Sequence, residues 1–270
     1  MRRAVVTRSA VLVLIPALAF ADLADTLSLT PGRGATLAIA GPFAAAVGAN
    51  ADNLVFKAVA ALREKIPGLK AGHFKLEKHI PVAGGVGGGS ADAAAALRLL
   101  ARANGIALDD ARLASAALAV GADVPVCVDC VARIMRGVGE LLSPPVSLPR
   151  LQAVLVNPRV PLSTRDVFAK FSGTQGSKKQ VTAVPARHDA LIDFLRGHEN
   201  DLTAAAIACA PVIAEVLIAL RTLPAVRLTR MSGSGPTCFA LFASAGEAAA
   251  AARRLAAERK DWWVQAAGIG

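Results

Sequence analysis

The chain has 270 residues, 54% of them hydrophobic and 19% charged, with a formal charge of +10. That length and apolar content supply a core for one or two domains and exclude a disordered chain. No basic run exceeds two residues and aromatics make up only 4%, so the charge lacks the aromatic stacking surface of a nucleic-acid binder and fits a phosphate-rich small substrate better.

Residues 1–21 carry Arg2 and Arg3, an apolar run over 10–20 broken by Pro16, and the small-residue pattern Ala19-Phe20-Ala21. The composition resembles a secretory signal. The run is too short for a membrane-spanning helix of ~20 residues. The phosphate-binding pattern further on calls for a cytoplasmic nucleotide supply, so export is not expected. Cys127, Cys130, Cys209 and Cys238 are unevenly spaced, unlike a disulfide framework. Cys127-Val128-Asp129-Cys130 has the spacing of half a zinc site or a redox motif, but no second pair follows, and core cysteines are the expectation.

Residues 25–39 alternate apolar and polar positions around Pro31-Gly32-Arg33-Gly34, which reads as two strands and a turn. Leu54, Val55, Ala58, Val59 and Leu62 give residues 53–66 a helical period, and residues 73–79 alternate as a strand. Residues 81–96, PVAGGVGGGSADAAAA, then place five glycines in six positions before a strong helix former. Glycines let a backbone approach phosphate oxygens, and the free amides of a helix start face the negative charge. Ser90 and Asp92 fall where a cap is expected, and Gly105 ends the helix after about four turns. The loop lacks the Lys-Ser/Thr ending of a P-loop and the context of a dinucleotide fold; a merely flexible loop is the other reading.

Residues 110–120 read as a helix ending at Gly121, and Asp123 lies between that end and an apolar strand. Its carboxylate either reaches into a cleft or bonds nearby amides in a turn, and spacing alone favours the turn. A strand over 152–157 and a helix over 163–171 behind a Ser-Thr cap follow. Residues 227–242 read as strand, glycine turn, strand around Met231-Ser232-Gly233-Ser234-Gly235-Pro236, either a second donor-rich loop or an ordinary hairpin. A helix over 246–260 and a strand at 262–264 close the chain.

The ordered words PVAGGVGGGSADAAA, GADVP and RMSGSGPTCFALF resemble the three-motif pattern of the GHMP kinase superfamily. With Gly137-Val138-Gly139-Glu140, Asn53-Leu54-Val55 and Asn200-Asp201-Leu202, the spelling is most similar to members acting on 4-diphosphocytidyl-2-C-methyl-D-erythritol, over residues 19–264. The resemblance implies an α+β fold of two domains, a ribosomal protein S5 domain 2-like half over 1–145 and a ferredoxin-like half over 146–270, with ATP between them. It implies that Pro81, Val82, Ala83, Gly84, Gly85, Val86, Gly87, Gly88, Gly89, Ser90 and Ala91 bind ATP. Asp123 would accept or orient the proton of the substrate hydroxyl as it attacks the γ-phosphorus. Mg2+ is expected with ATP, with Ser90 the candidate ligand. The implied partner is the small-molecule alcohol 4-diphosphocytidyl-2-C-methyl-D-erythritol, in isoprenoid precursor synthesis. Neither nucleic acid nor membrane is expected, and the chain is expected to be a cytoplasmic monomer or homodimer.

The beginning departs from the pattern. Members open with an Ala-Lys-Ile-Asn type word followed by Gly-Tyr-His; neither occurs here, and no lysine precedes Lys57. The lysine that would neutralise charge near the transferred phosphate has no counterpart, a loss that can cost several kcal/mol of transition-state stabilisation. A start placed too late or a frame error upstream of Phe20 ranks first as explanation, ahead of a degenerate kinase and of replacement by another cation such as Arg33.

Overall fold

The structure, a computed structural model, describes residues 4–13, 17–48, 50–82, 84–136, 141–172, 181 and 183–270, with side chains from residue 18 onward except those of 135, 136 and 141. The first half contains β1 (Ala4–Val13), β2 (Ala17–Gly32), β3 (Ala35–Ala40), α1 (Leu54–Lys65), β4 (Ala71–Glu77), α2 (Gly88–Asn104), α3 (Ala111–Val120), α4 (Val124–Asp129), β5 (Arg133–Arg136) and β6 (Leu141–Leu142). The second contains β7 (Leu151–Asn157), α5 (Thr164–Lys170), α6 (His188–Arg196), α7 (Thr203–Cys209), α8 (Val212–Arg221), β8 (Leu228–Met231), β9 (Cys238–Phe242), α9 (Ala245–Glu258) and β10 (Trp263–Ile269).

One mixed sheet runs through both halves in the order β3-β4-β2-β10-β7-β9-β8, with β1 and β5 also on β2. The two strands expected within 25–39 form, but not as a paired hairpin. β4 lies between them, antiparallel to β2 from Thr26↔Glu77 to Gly32↔Ala71 and parallel to β3 from Ala35↔Gly72 to Ala40↔Glu77. The pattern sets which residues face the core and leaves the pairing partner open. The signal-like composition of residues 1–21 belongs, where described, to strands. β1 pairs with β2 from Ala4↔Leu29 to Val13↔Leu18, and Ala19, Phe20 and Ala21 are buried in β2. Phe20 exchanges backbone hydrogen bonds with Gly270 at 3.2 and 3.1 Å, which joins the two halves of the sheet.

Cap residues explain the helix ends. Asn53, Asp110, Ser163 and Ser244 each accept a first-turn amide of α1, α3, α5 and α9, the last as a full capping box with Glu247. Gly105 adopts φ +66° and closes α2. Helix α2 is buried from Ala91 to Ala101, and its alanines let α1, α3, α4 and β2 approach it closely. A second core gathers around β7, β9, α7, α8 and α9. A third spans the halves, with Ala19, Ala21, Ile80 and Val86 against Leu151, Leu155, Phe239 and Ile269. Each such large apolar side chain contributes about 1.5–3 kcal/mol when fully buried.

Candidate active site

The glycine loop lies between the end of β4 and the start of α2. Gly87, in the left-handed conformation at φ +56°, occupies the N-cap, and no side chain caps the helix. Ser90 and Asp92, expected at the cap, sit inside the first turns of α2 instead. A glycine reaches the left-handed region without the Cβ penalty that Ser or Asp would meet, so the chain enters the helix three residues earlier than cap chemistry indicates. The first-turn amides of α2 are therefore left free of a capping side chain, beside an exposed Gly89 and a half-buried Ser90. This donor set fits a phosphate group. Of the expected loop residues, Pro81, Gly84, Val86, Gly88 and Ala91 are buried, Gly85 and Gly87 are half-buried, and Val82 is exposed. Ala83 lies outside the described residues, as does the 137–140 stretch.

Beneath the helix start lies a cluster that the sequence pattern did not single out. Lys78 Nζ donates to Asp25 Oδ2 at 2.5 Å and to Asp92 Oδ2 at 2.8 Å. Asp25 Oδ1 accepts the amides of His79 at 2.6 Å and Ile80 at 2.9 Å. All three residues are buried, and a Cβ on Gly88 would sit 3.2 Å from Lys78 Nζ. Burial works against the Lys78 charge, but Asp92 and Asp25 outweigh it and raise its pKa. Burial pushes the Asp92 carboxyl up to about 7, against the pull of Lys78 and with help from Asp25. One lysine facing two carboxylates leaves the second acid undercompensated.

The other end of the loop is fastened to the second half. Thr237 N donates to Gly84 O at 3.2 Å, and Ser232 Oγ donates to Gly85 O at 3.0 Å. Asn157 Nδ2 holds Thr237 Oγ1 at 2.8 Å, and Asn200 Nδ2 donates to Met231 O at 2.9 Å and Gly233 O at 2.7 Å. The Met231–Pro236 turn is thus more than a hairpin loop: it docks on the glycine loop.

Asp123 precedes a helix, not the expected strand. The segment Val124-Pro125-Val126-Cys127 reads as β from its valines, but Pro125 starts a helix well and the apolar side chains pack on α2. Arg98, buried on α2, donates from Nη1 to Cys127 O and, at 3.0 Å, to Val128 O, holding the C-terminal carbonyls of α4. Asp123 makes no side-chain cap bond, and burial raises its pKa. Its carboxylate therefore does not bond the nearby amides as the turn reading had it. None of the four cysteines is in a disulfide among the described residues; Cys127 and Cys238 are buried, and Cys130 and Cys209 are half-buried against the cores. Arg98 carried a readable signal, since a charge inside the otherwise apolar stretch 93–101 needs a partner.

The GHMP kinases N terminal domain matches residues 53–130 and the GHMP kinases C terminal domain residues 186–261. The chain belongs to the GHMP kinase family, a class of ATP-dependent kinases, as the three motifs led one to expect. Within it, the chain is 52% identical over 261 residues to the 4-diphosphocytidyl-2-C-methyl-D-erythritol kinase of Rhodopseudomonas palustris, covering 93% of this chain and 87% of the relative. The protein of the same name from Bradyrhizobium diazoefficiens is 52% identical over 258 residues, 92% of this chain and 86% of the relative. A crystal structure of 4-(cytidine 5'-diphospho)-2C-methyl-D-erythritol kinase matches with TM-score 0.77 and 28% identity, covering 99% of each chain. Homoserine kinase from Cytophaga hutchinsonii, at TM-score 0.72 and 16% identity over 99% of this chain and 95% of that one, shares the fold.

Proposed function

We propose that this chain transfers the γ-phosphoryl group of ATP to the 2-hydroxyl of 4-diphosphocytidyl-2-C-methyl-D-erythritol, in the cytoplasm, with the division of labour between domains 1–145 and 146–270. The main support is the half identity, along more than nine-tenths of the chain, to relatives bearing that enzyme's name. The glycine loop, residues 81–91, holds the phosphates with the first-turn amides of α2, and positions the γ-phosphorus for in-line attack. Asp123 accepts the hydroxyl proton; the burial that raises its pKa makes it a stronger base than an exposed aspartate. Mg2+, when bound with ATP, neutralises phosphate charge. Among the described residues no cluster of three or more His, Cys, Asp and Glu side chains is placed to hold a metal. Ser90, at the helix start, is the residue that would hold Mg2+.

Among the described residues no helix is long and apolar enough to cross a membrane; the partner is the small-molecule alcohol, and the chain acts as a monomer or homodimer. The absence of any lysine before Lys57 favours a second reading, a nucleotide-binding homologue impaired in turnover. ADP release with a panel of alcohols tests both: release with the cytidyl diphosphate alcohol alone supports the first, and ATP binding without release with any alcohol supports the second.

A further inference from the structure

Lys78, Asp25 and Asp92 have no part in the chemistry outlined above, yet they are among the few charged side chains in the core: Lys78 and Asp25 are each 3% exposed and Asp92 6%. They come from three elements. Asp25 is on β2, Lys78 just follows β4, and Asp92 is on the second turn of α2. Lys78 bridges the two carboxylates at 2.5 and 2.8 Å, while Asp25 also takes the amides of His79 and Ile80. The chain entering the glycine loop and the helix leaving it are thereby tied to one strand. Ordinary packing does not need buried charges for this, and apolar residues of similar volume are often at least as stabilising. What an ion cluster adds is direction: its donors and acceptors accept one arrangement, where an apolar contact accepts several.

We propose that Lys78, Asp25 and Asp92 are positioning residues that fix the first-turn amides of α2 in the geometry that receives the phosphates of ATP. The inference rests on the reading of residues 81–91 as the ATP loop. Gly88, the first residue of α2, is the point of transmission, since a Cβ placed on it would lie 3.2 Å from Lys78 Nζ and 3.8 Å from Asp25 Oδ2. With the tether to Asp92 lost, the helix start is free to shift by fractions of an ångström, and amides aimed at one phosphate position are then aimed at none.

Asp92→Ala and Asp92→Asn separate positioning from bulk stability, and Leu113→Ala, a buried cavity variant on α3 away from the cluster, provides a matched loss of Tm. Binding of ATP with magnesium is measured by titration and, where turnover is present, KM and kcat are determined. The expected result is an ATP Kd and KM about tenfold higher in Asp92→Ala, the size of one lost hydrogen bond to a charged group, with kcat within about twofold. Asp92→Asn, which keeps an oxygen for Lys78, should recover part of the affinity, and Leu113→Ala should leave it unchanged. Equal ATP affinity in wild type and a folded Asp92→Ala, or the same weakening in Leu113→Ala, would overturn the proposal; if Asp92→Ala does not fold, wild-type affinity in Asp92→Asn does so. A wild-type chain that binds no ATP would instead overturn the loop reading on which it stands.

Discussion

Gly85→Ala sets a methyl group against the backbone of the other half of the molecule. Gly85 has φ +68°, and its Cβ would fall against the Gly235 carbonyl, 2.8 Å from Gly235 C and 3.0 Å from Ser232 O. The left-handed backbone alone costs an alanine about 1–2 kcal/mol. Backbone atoms cannot rotate away as a flexible side chain would, so the loop must retreat from the Met231–Pro236 turn. Retreat gives up the bonds from Ser232 Oγ to Gly85 O and from Thr237 N to Gly84 O, each worth about 1 kcal/mol net. The total, about 3–4 kcal/mol, lowers Tm by about 6–16 °C for a chain of this size. Gly34→Ala is the control: φ is +79° there, but nothing lies within 4 Å of the added carbon, so it isolates the backbone term. Urea unfolding of both variants gives the difference, and ATP affinity should fall only in Gly85→Ala. Equal stability losses in the two variants, with ATP affinity intact, would show that the loop is not docked on the second half.

Stability should also report the protonation of Asp92. Its carboxyl titrates near 7 in the folded protein against 3.8 for the free group, so the folded state holds the extra proton. Its contribution is full below pH 4 and is lost as pH rises through 7, by at most on the order of 4 kcal/mol because Lys78 responds to the same proton. Asp92→Asn should abolish that slope in urea melts taken across this range, and an unchanged slope would assign it to other groups. Arg98→Met removes the donor to Cys127 O and Val128 O; a loss of about 2–4 kcal/mol with a fall in kcat is expected, since α4 carries Asp123 at its start. Thiol titration of the native protein should find Cys130 and Cys209 reactive, and Cys127 and Cys238, which burial holds at raised pKa, reactive only in denaturant.

Local features of the fold were legible because they depend on nearest neighbours along the chain. Asn53 and Asp110 cap the expected helices, Gly105 ends α2, and the alternation at 73–79 became β4. Where the outcome depended on partners distant in sequence, the pattern failed or was silent. The valines after Gly121 carry strand propensity, yet packing on α2 and a proline at the helix start made that segment helical. Ser90 and Asp92 have cap chemistry, but a glycine in the left-handed region took the cap position. The strands flanking Arg33 were visible, but not the insertion of β4 between them. Lys78, Asp25 and Asp92 are 53 and 14 residues apart as pairs, and no periodicity joins them. The glycine loop stood out because a helix entered from a left-handed glycine, with its first amides uncapped, requires an unusual local composition.

The proposed activity is that of a kinase for a cytidyl diphosphate alcohol with Asp123 as its base. ADP release by the purified chain with ATP, magnesium and 4-diphosphocytidyl-2-C-methyl-D-erythritol, compared with Asp123→Asn, tests it most directly. The predicted result is turnover dependent on that alcohol and reduced about 10²–10⁴-fold in the variant, the usual range for a lost proton acceptor. Turnover unchanged in Asp123→Asn, or ATP binding with no ADP release from the wild-type chain, would contradict it.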